Sequence, residues 1–211
     1  MLRSVRDMPA TFGFISYNDQ PPGCSSDKKY GHSKGVVMGD SRTGTALWLP
    51  HSTPKFPLRR NPQRFWPLSG NKNAQTFMCV SLTYNDLSAI GTHLQHIRAL
   101  PFDYDLPGNF PVELRNAVDK VYSKSHWISL SKDRKVQDLR TRIDQTLMNQ
   151  GAGAELKLIA KRNAESGAGD LYRQLAEQLD PQGGVKAQSW RCGKDYKYDR
   201  AVFNIKKSKQ M

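Results

Sequence analysis

His32 and Lys34, two residues apart in Tyr30-Gly31-His32-Ser33-Lys34-Gly35, form the most chemically specific pairing in this sequence. If the tract enters a β-strand, positions i and i+2 share a face, so an imidazole and an ammonium project together into one site. Such a pair suits phosphodiester chemistry. A neutral imidazole attacks phosphorus, while the ammonium holds the non-bridging oxygens and stabilises charge as it builds. A His-x-Lys is short enough to arise by chance, and read alone it is surface decoration. His51, at the end of Trp48-Leu49-Pro50-His51-Ser52, is a second histidine at a strand end, where loops present catalytic side chains. Its bland reading is a partly buried ring hydrogen-bonded to a carbonyl. His93 and His96, at i and i+3, have the spacing to share a ligand, but no third ligand accompanies them and the solvent-exposed reading is preferred. Cys24, Cys79 and Cys192 are an odd, widely separated set without metal-ligand spacing, so no metal or cofactor site is expected. Their bland reading is three reduced thiols in a cytosolic protein, with Cys79 buried in an apolar strand.

The elements that position these residues are legible from turn punctuation and period. Thr11–Tyr17, Gly35–Met38 and Thr45–Leu49 read as short strands stopped by Asn/Asp/Pro/Gly turns. Thr76–Leu82 is apolar enough to be a central strand buried on both faces. A Pro/Arg/Asn-rich loop, Pro54–Asn73, separates it from the third strand. Leu87, Ile90, Leu94 and Ile97 recur at spacings of three and four, which predicts a helix over Asp86–Leu100 with His93 and His96 beside the stripe. A second helix starts near Pro111, with Leu114, Val118 and Val121 as its stripe. A third spans Asp170–Leu179 and ends at Pro181–Gly184. Leu156–Ala160, Val185–Trp190 and Ala201–Ile205 look like later strands, and residues 131–152 read as a surface helix or a loop.

Composition narrows the partners. In 211 residues, 37% of them hydrophobic, Lys and Arg outnumber Asp and Glu by 32 to 19, a net charge of +13 that favours polyanions such as nucleic acid. A basic solvated surface is the competing reading. No run approaches the roughly 18 apolar residues of a membrane span, so a soluble chain without a membrane partner is expected. Met1–Asp7 is basic enough for a signal n-region, but Met8-Pro9-Ala10-Thr11 follows where an apolar stretch should stand, so no export signal is expected in the sequence as given.

The order of the surrounding words is more specific than any one of them. Tyr17-Asn18-Asp19-Gln20-Pro21-Pro22, Gly31-His32-Ser33-Lys34-Gly35-Val36, Leu47 through Pro57, Trp66-Pro67 and Gln75 through Ser81 strongly resemble the deoxyribonuclease II family, in order and at matching intervals. Ile159-Ala160-Lys161, Gly169-Asp170-Leu171-Tyr172, Gln188-Ser189-Trp190 and Val202-Phe203-Asn204-Ile205 look like the family's later words. The resemblance implies an α/β (α+β) fold, a phospholipase D-like mixed sheet flanked by helices in which two related halves each give one His-x-Lys. It implies an acid endonuclease, lysosomal or secreted, that cuts DNA without a metal and leaves 3′-phosphates. By position, His32 and Lys34 match the family's first His-x-Lys, and His51 its additional site histidine.

The chain departs from the family at both ends. The family's second His-x-Lys lies beyond the Asn-Ile strand in an Asp-His-Ser-Lys-Trp setting, and this chain reaches Met211 without one; only 16 residues precede Tyr17. It therefore looks like a single partial domain over 1–211, with strand-rich residues 1–83 carrying the first motif and residues 84–211 supplying helices and later strands. Cys79 and Cys192 match family cysteines whose partners lie in the absent segments, while Cys24 matches none. Two functions are carried forward: a deoxyribonuclease II-type nuclease, with a homodimer as one way to regenerate a pair of motifs, and a catalytically inactive, basic DNA-binding or interaction protein.

Overall fold

The computed structural model describes residues 8–27, 29–58, 66–122, 139–143, 154–158, 185–187 and 202–204. The chain divides into two compact units, Met1–Ile128 with Gln137–Ala160, and Ser129–Val136 with Lys161–Met211.

The first unit is built on a five-stranded antiparallel sheet with the order β4-β3-β2-β1-β5: β1 Phe12–Asn18, β2 Lys34–Asp40, β3 Thr45–Pro50, β4 Val80–Thr83 and β5 Pro101–Asp105. A short polar turn, residues 41–44, joins β2 to β3, whereas β1 reaches its neighbour β2 through the longer connection 19–33. Alternation along these strands sends their side chains to two faces. On one, Ile15, Tyr17, Val37, Ala46, Trp48, Val80 and Leu82 pack beneath α1 (Leu87–His96) and α2 (Val112–Val118). On the other, Phe14, Val36 and Met38 are buried. The fold is thus α+β, as expected.

The stripe of α1 buries Leu87, Ile90 and Leu94 completely, each worth about 1.5–3 kcal/mol of apolar transfer. Gly91 lets α2 approach closely: a Cβ there would lie 2.6 Å from the Leu114 amide nitrogen. Pro111 caps α2 rather than sitting inside its first turn, and Val121 lies past the helix, 55% exposed, so only Leu114 of the expected stripe is fully buried.

Three other expectations are corrected. Thr76–Leu82 is not a central strand: β4 begins at Val80 and forms the sheet edge. Only Val80 and Leu82 alternate into the core, while Phe77 and Met78 face outward and Cys79 is exposed. The strands buried on both faces are β1 and β2. β5 was not expected at all, since its leading proline and alternating aspartates hide an edge strand. Within 131–152, Leu139–Ile143 is a strand, β6, paired antiparallel with β7 (Ala154–Leu158); its period-two Leu139, Thr141 and Ile143 explain this.

In the second unit, β8 (Val185–Ala187) and β9 (Val202–Asn204) pair in parallel, inside the two stretches expected to be strands. The expected helix Asp170–Leu179 and Cys192 lie outside the described residues. Among the described residues, no helix is long and apolar enough to cross a membrane.

Candidate active site

The site forms where β1 ends, β2 begins and β3 ends. The register places Asn18 opposite Lys34, and the His51 amide donates to the Lys34 carbonyl at 3.0 Å. His51 bridges in turn to Phe77. Residues paired across antiparallel strands share a face. Asn18, Lys34, His51 and Phe77 therefore make one cross-strand row, on the sheet face opposite the helices.

β2 starts at Lys34, so His32 precedes the strand and the pleat does not align the two side chains. Asp19 does. One carboxylate oxygen lies 2.7 Å from His32 Nδ1 and the other 2.5 Å from Lys34 Nζ. Asp19 and Lys34 are buried, whereas the His32 side chain is 82% exposed. A carboxylate at Nδ1 orients the ring and favours the tautomer with its proton on that nitrogen. The loop carrying His32 is clamped from behind. The Gly31 amide donates to the Arg98 carbonyl at 3.1 Å, and a Cβ on Gly31 would stand 1.9 Å from the Ile97 carbonyl oxygen.

His51 is the neutral counterpart. Its Nδ1 accepts the Thr53 amide proton at 3.2 Å, so the expected bond to a carbonyl is replaced by one from an N–H. The remaining ring proton is on Nε2, which has no hydrogen-bond partner among the described residues. The ring lies edge-on to Phe56 at 5.0 Å and stacks on Phe77 at 5.5 Å. Burial, and then the charge of Lys34, lowers its pKa to about 4. The loop after it is held by Asn18, whose Nδ2 donates to the carbonyls of Thr53 and Phe56 at 3.1 and 2.9 Å.

The structure thus brings Lys34 and His51 together on adjacent strands and ties His32 to Lys34 through Asp19. Asp19 had no role in the sequence reading. Its signal was its place one residue past a strand whose last residue, Asn18, pairs with Lys34. His93 is a correction: it is buried, edge-on to Trp48 at 5.6 Å, on the helical side of the sheet. Among the described residues, no group of three or more His, Cys, Asp or Glu side chains could hold a metal ion, and His93 and His96 acquire no third partner of that kind.

The deoxyribonuclease II family model matches residues 3–210. The chain belongs to the deoxyribonuclease II family. It is 29% identical to plancitoxin-1 of Acanthaster planci over 201 residues, 92% of this chain and 51% of that protein. It is 36% identical to deoxyribonuclease-2-alpha of Mus musculus over 113 residues, 52% of this chain and 31% of the relative. A putative deoxyribonuclease-2 of Burkholderia pseudomallei (strain 1710b) is 42% identical over 88 residues, 40% of this chain and 23% of the relative. The chain therefore spans about half, or less, of the curated relatives it matches.

Proposed function

We propose that this chain acts as a deoxyribonuclease II-type endonuclease, hydrolysing DNA phosphodiester bonds in acid without a metal and leaving 3′-phosphate ends. The observation that carries the reading is Asp19 shared between His32 and Lys34, which gives an exposed imidazole beside a buried ammonium. His32 Nε2 attacks phosphorus; the P–O5′ bond breaks and a P–N bond forms, with Asp19 holding the Nδ1 proton. Lys34 stabilises the non-bridging oxygens, and the Nε2–H of His51, buried in the free chain, joins it once the site opens to expose that nitrogen. Water then cleaves the P–N bond and releases the 3′-phosphate. With a pKa of about 4, His51 stays neutral at pH 5 and serves as a hydrogen-bond donor rather than as the acid for the departing O5′.

That acid is a second histidine in the family's two-motif plan. A two-fold dimer of this chain, with two copies of His32 and Lys34 facing one phosphate, is one source of it. Excess His32→Ala protein mixed with wild type then lowers activity in proportion to heterodimer; activity linear in wild type removes the dimer. By the same family resemblance, the compartment is lysosomal or secreted.

The test of function is plasmid nicking at pH 5 in EDTA. Wild type should nick and leave ends that a phosphatase must treat before a polymerase extends them, and His32→Ala should not nick. Nicking that survives this substitution removes His32 from its role. The net charge of +13 favours the second reading, an inactive basic DNA-binding or interaction protein; salt-sensitive DNA binding with no product at any pH would establish it.

A further inference from the structure

Beyond His51, the cross-strand row continues into a group of three rings to which the phosphate chemistry assigns no task. Phe56 is 3% exposed and forms the floor. Trp66 and Phe77 rest on it, at ring separations of 5.4 and 5.7 Å, and lie 6.0 Å from one another. Both are large apolar side chains left 40% and 43% exposed. The Trp66 ring is fixed in place: its Nε1–H donates to Asn71 Oδ1 at 2.7 Å, and Gly70 packs so closely on its face that a Cβ there would meet the ring at 2.4 Å.

We infer that Phe77 and Trp66 form a stacking platform for a nucleobase of the DNA strand whose phosphate lies over Lys34 and His51. The inference rests on the nuclease reading and extends it to how the strand is held. Phe77 bridges directly to His51, which bonds the backbone of Lys34, so the Phe77 and Lys34 backbones stand two strand spacings, about 10 Å, apart on the same face. A sugar and base attached to a phosphate span that separation. An exposed aromatic face beside a cationic site is the combination that holds unpaired nucleotides, because every base offers a π-face to the ring and a phosphate to the charge. Rings already locked by packing lose little freedom on binding. Stacking requires the base to be free of its partner strand, so the platform takes single-stranded or locally unpaired DNA and reads no particular sequence.

The experiment measures binding rather than cleavage. With His32→Ala present in every protein compared, so that the strand stays intact, affinity of the full chain with its native rings (wild type at the platform) for a fluorescent single-stranded oligonucleotide of about twelve nucleotides is compared at pH 5 in EDTA with that for an abasic backbone of equal length and charge. Wild type should prefer the base-bearing strand by about tenfold or more, within the range of one or two stacked bases. Trp66→Leu and Phe77→Leu, which stay apolar but remove the π-face, should each abolish most of that preference and leave abasic binding unchanged. Phe77→Tyr should retain it. Equal binding of the two strands by wild type would overturn the platform while leaving the phosphate site standing, and absence of binding to either would overturn both. A loss in the leucine variants that is the same for the two strands would show the rings to be structural and sink the proposal.

Discussion

His51 and His93 flank the same sheet from opposite sides, and by local measures they are alike. Both are buried, each has one ring nitrogen without a hydrogen-bond partner among the described residues, and burial lowers the pKa of each to about 4. Their neighbours separate them. His93 packs edge-on to Trp48, whose Nε1–H donates to the buried Tyr17 hydroxyl, and second-ranked in its lowered pKa is His96. For His51 that second contribution comes from Lys34, itself bound to Asp19 and through it to His32. Burial and a shifted pKa therefore do not separate the two; the charged group and the exposed imidazole in the same network are what set His51 apart and support its proposed role.

The largest expected effect is on catalysis. His51→Ala should lower metal-free cleavage at pH 5 by about 10²–10³-fold, the usual loss for one donor to a developing oxyanion, and should also cost stability, because the ring is buried against Phe56 and Phe77. His93→Ala should leave kcat near wild type while costing about 2–4 kcal/mol in denaturant unfolding through the cavity beside Trp48. If both variants lose activity equally, the contrast drawn between them is wrong.

Next in size is Asp19→Asn. It leaves Lys34 buried without its carboxylate and His32 without the partner that orients its ring, so it should lower kcat about 10–100-fold and reduce stability by roughly 3 kcal/mol. A fall in kcat with unchanged KM and unchanged stability would show that Asp19 does not carry the Lys34 charge.

Acid stability comes third. The unfolded chain protonates its histidines near 6.5, whereas His51 and His93 in the folded chain take up protons only at about 4. As pH falls, the unfolded state binds protons first. The stability contributed by the two neutral rings is complete above about 6.5 and is lost down to about 4, on the order of 2–3 kcal/mol for each ring. His93→Phe keeps an aromatic neighbour for Trp48 and removes one of these groups, so acid unfolding followed by circular dichroism should move to lower pH. An unmoved transition would exclude His93 as a source of the acid lability. The smallest effect belongs to Cys79→Ser: the thiol is free and exposed, and the change should stay within about 0.5 kcal/mol by thermal unfolding.

Much of this architecture is legible in the sequence. β1, β2 and β3 were readable because polar turns bound each strand, and α1 because Leu87, Ile90 and Leu94 keep a helical period. His32, Lys34 and His51 stood out by type, but what joins them did not. Asp19 lies 13 residues from His32 and 15 from Lys34, and only strand pairing brings it between them. His93 was misread because the buried arc of α1 is wider than its aliphatic stripe: Trp48, from a strand read independently, reaches across to cover it. β4 was taken for a central strand because Phe77 and Met78 lengthen its apolar run, yet these residues precede the ladder and face outward.

The cross-strand row has a consequence for where disorder is removed. Lys34 and His51 are set by backbone bonds of the sheet, Asn18 ties down the loop after His51, and Asp19 fixes the ammonium, so these groups lose their freedom when the chain folds. On the proposed function, an incoming phosphate would meet a lysine already immobilised, and little of its binding energy would be diverted to ordering it. His32 differs, with one nitrogen tethered and 82% of its side chain in solvent. If His32 attacks as proposed, the motion left to that exposed ring is freedom it would still have to surrender on attack.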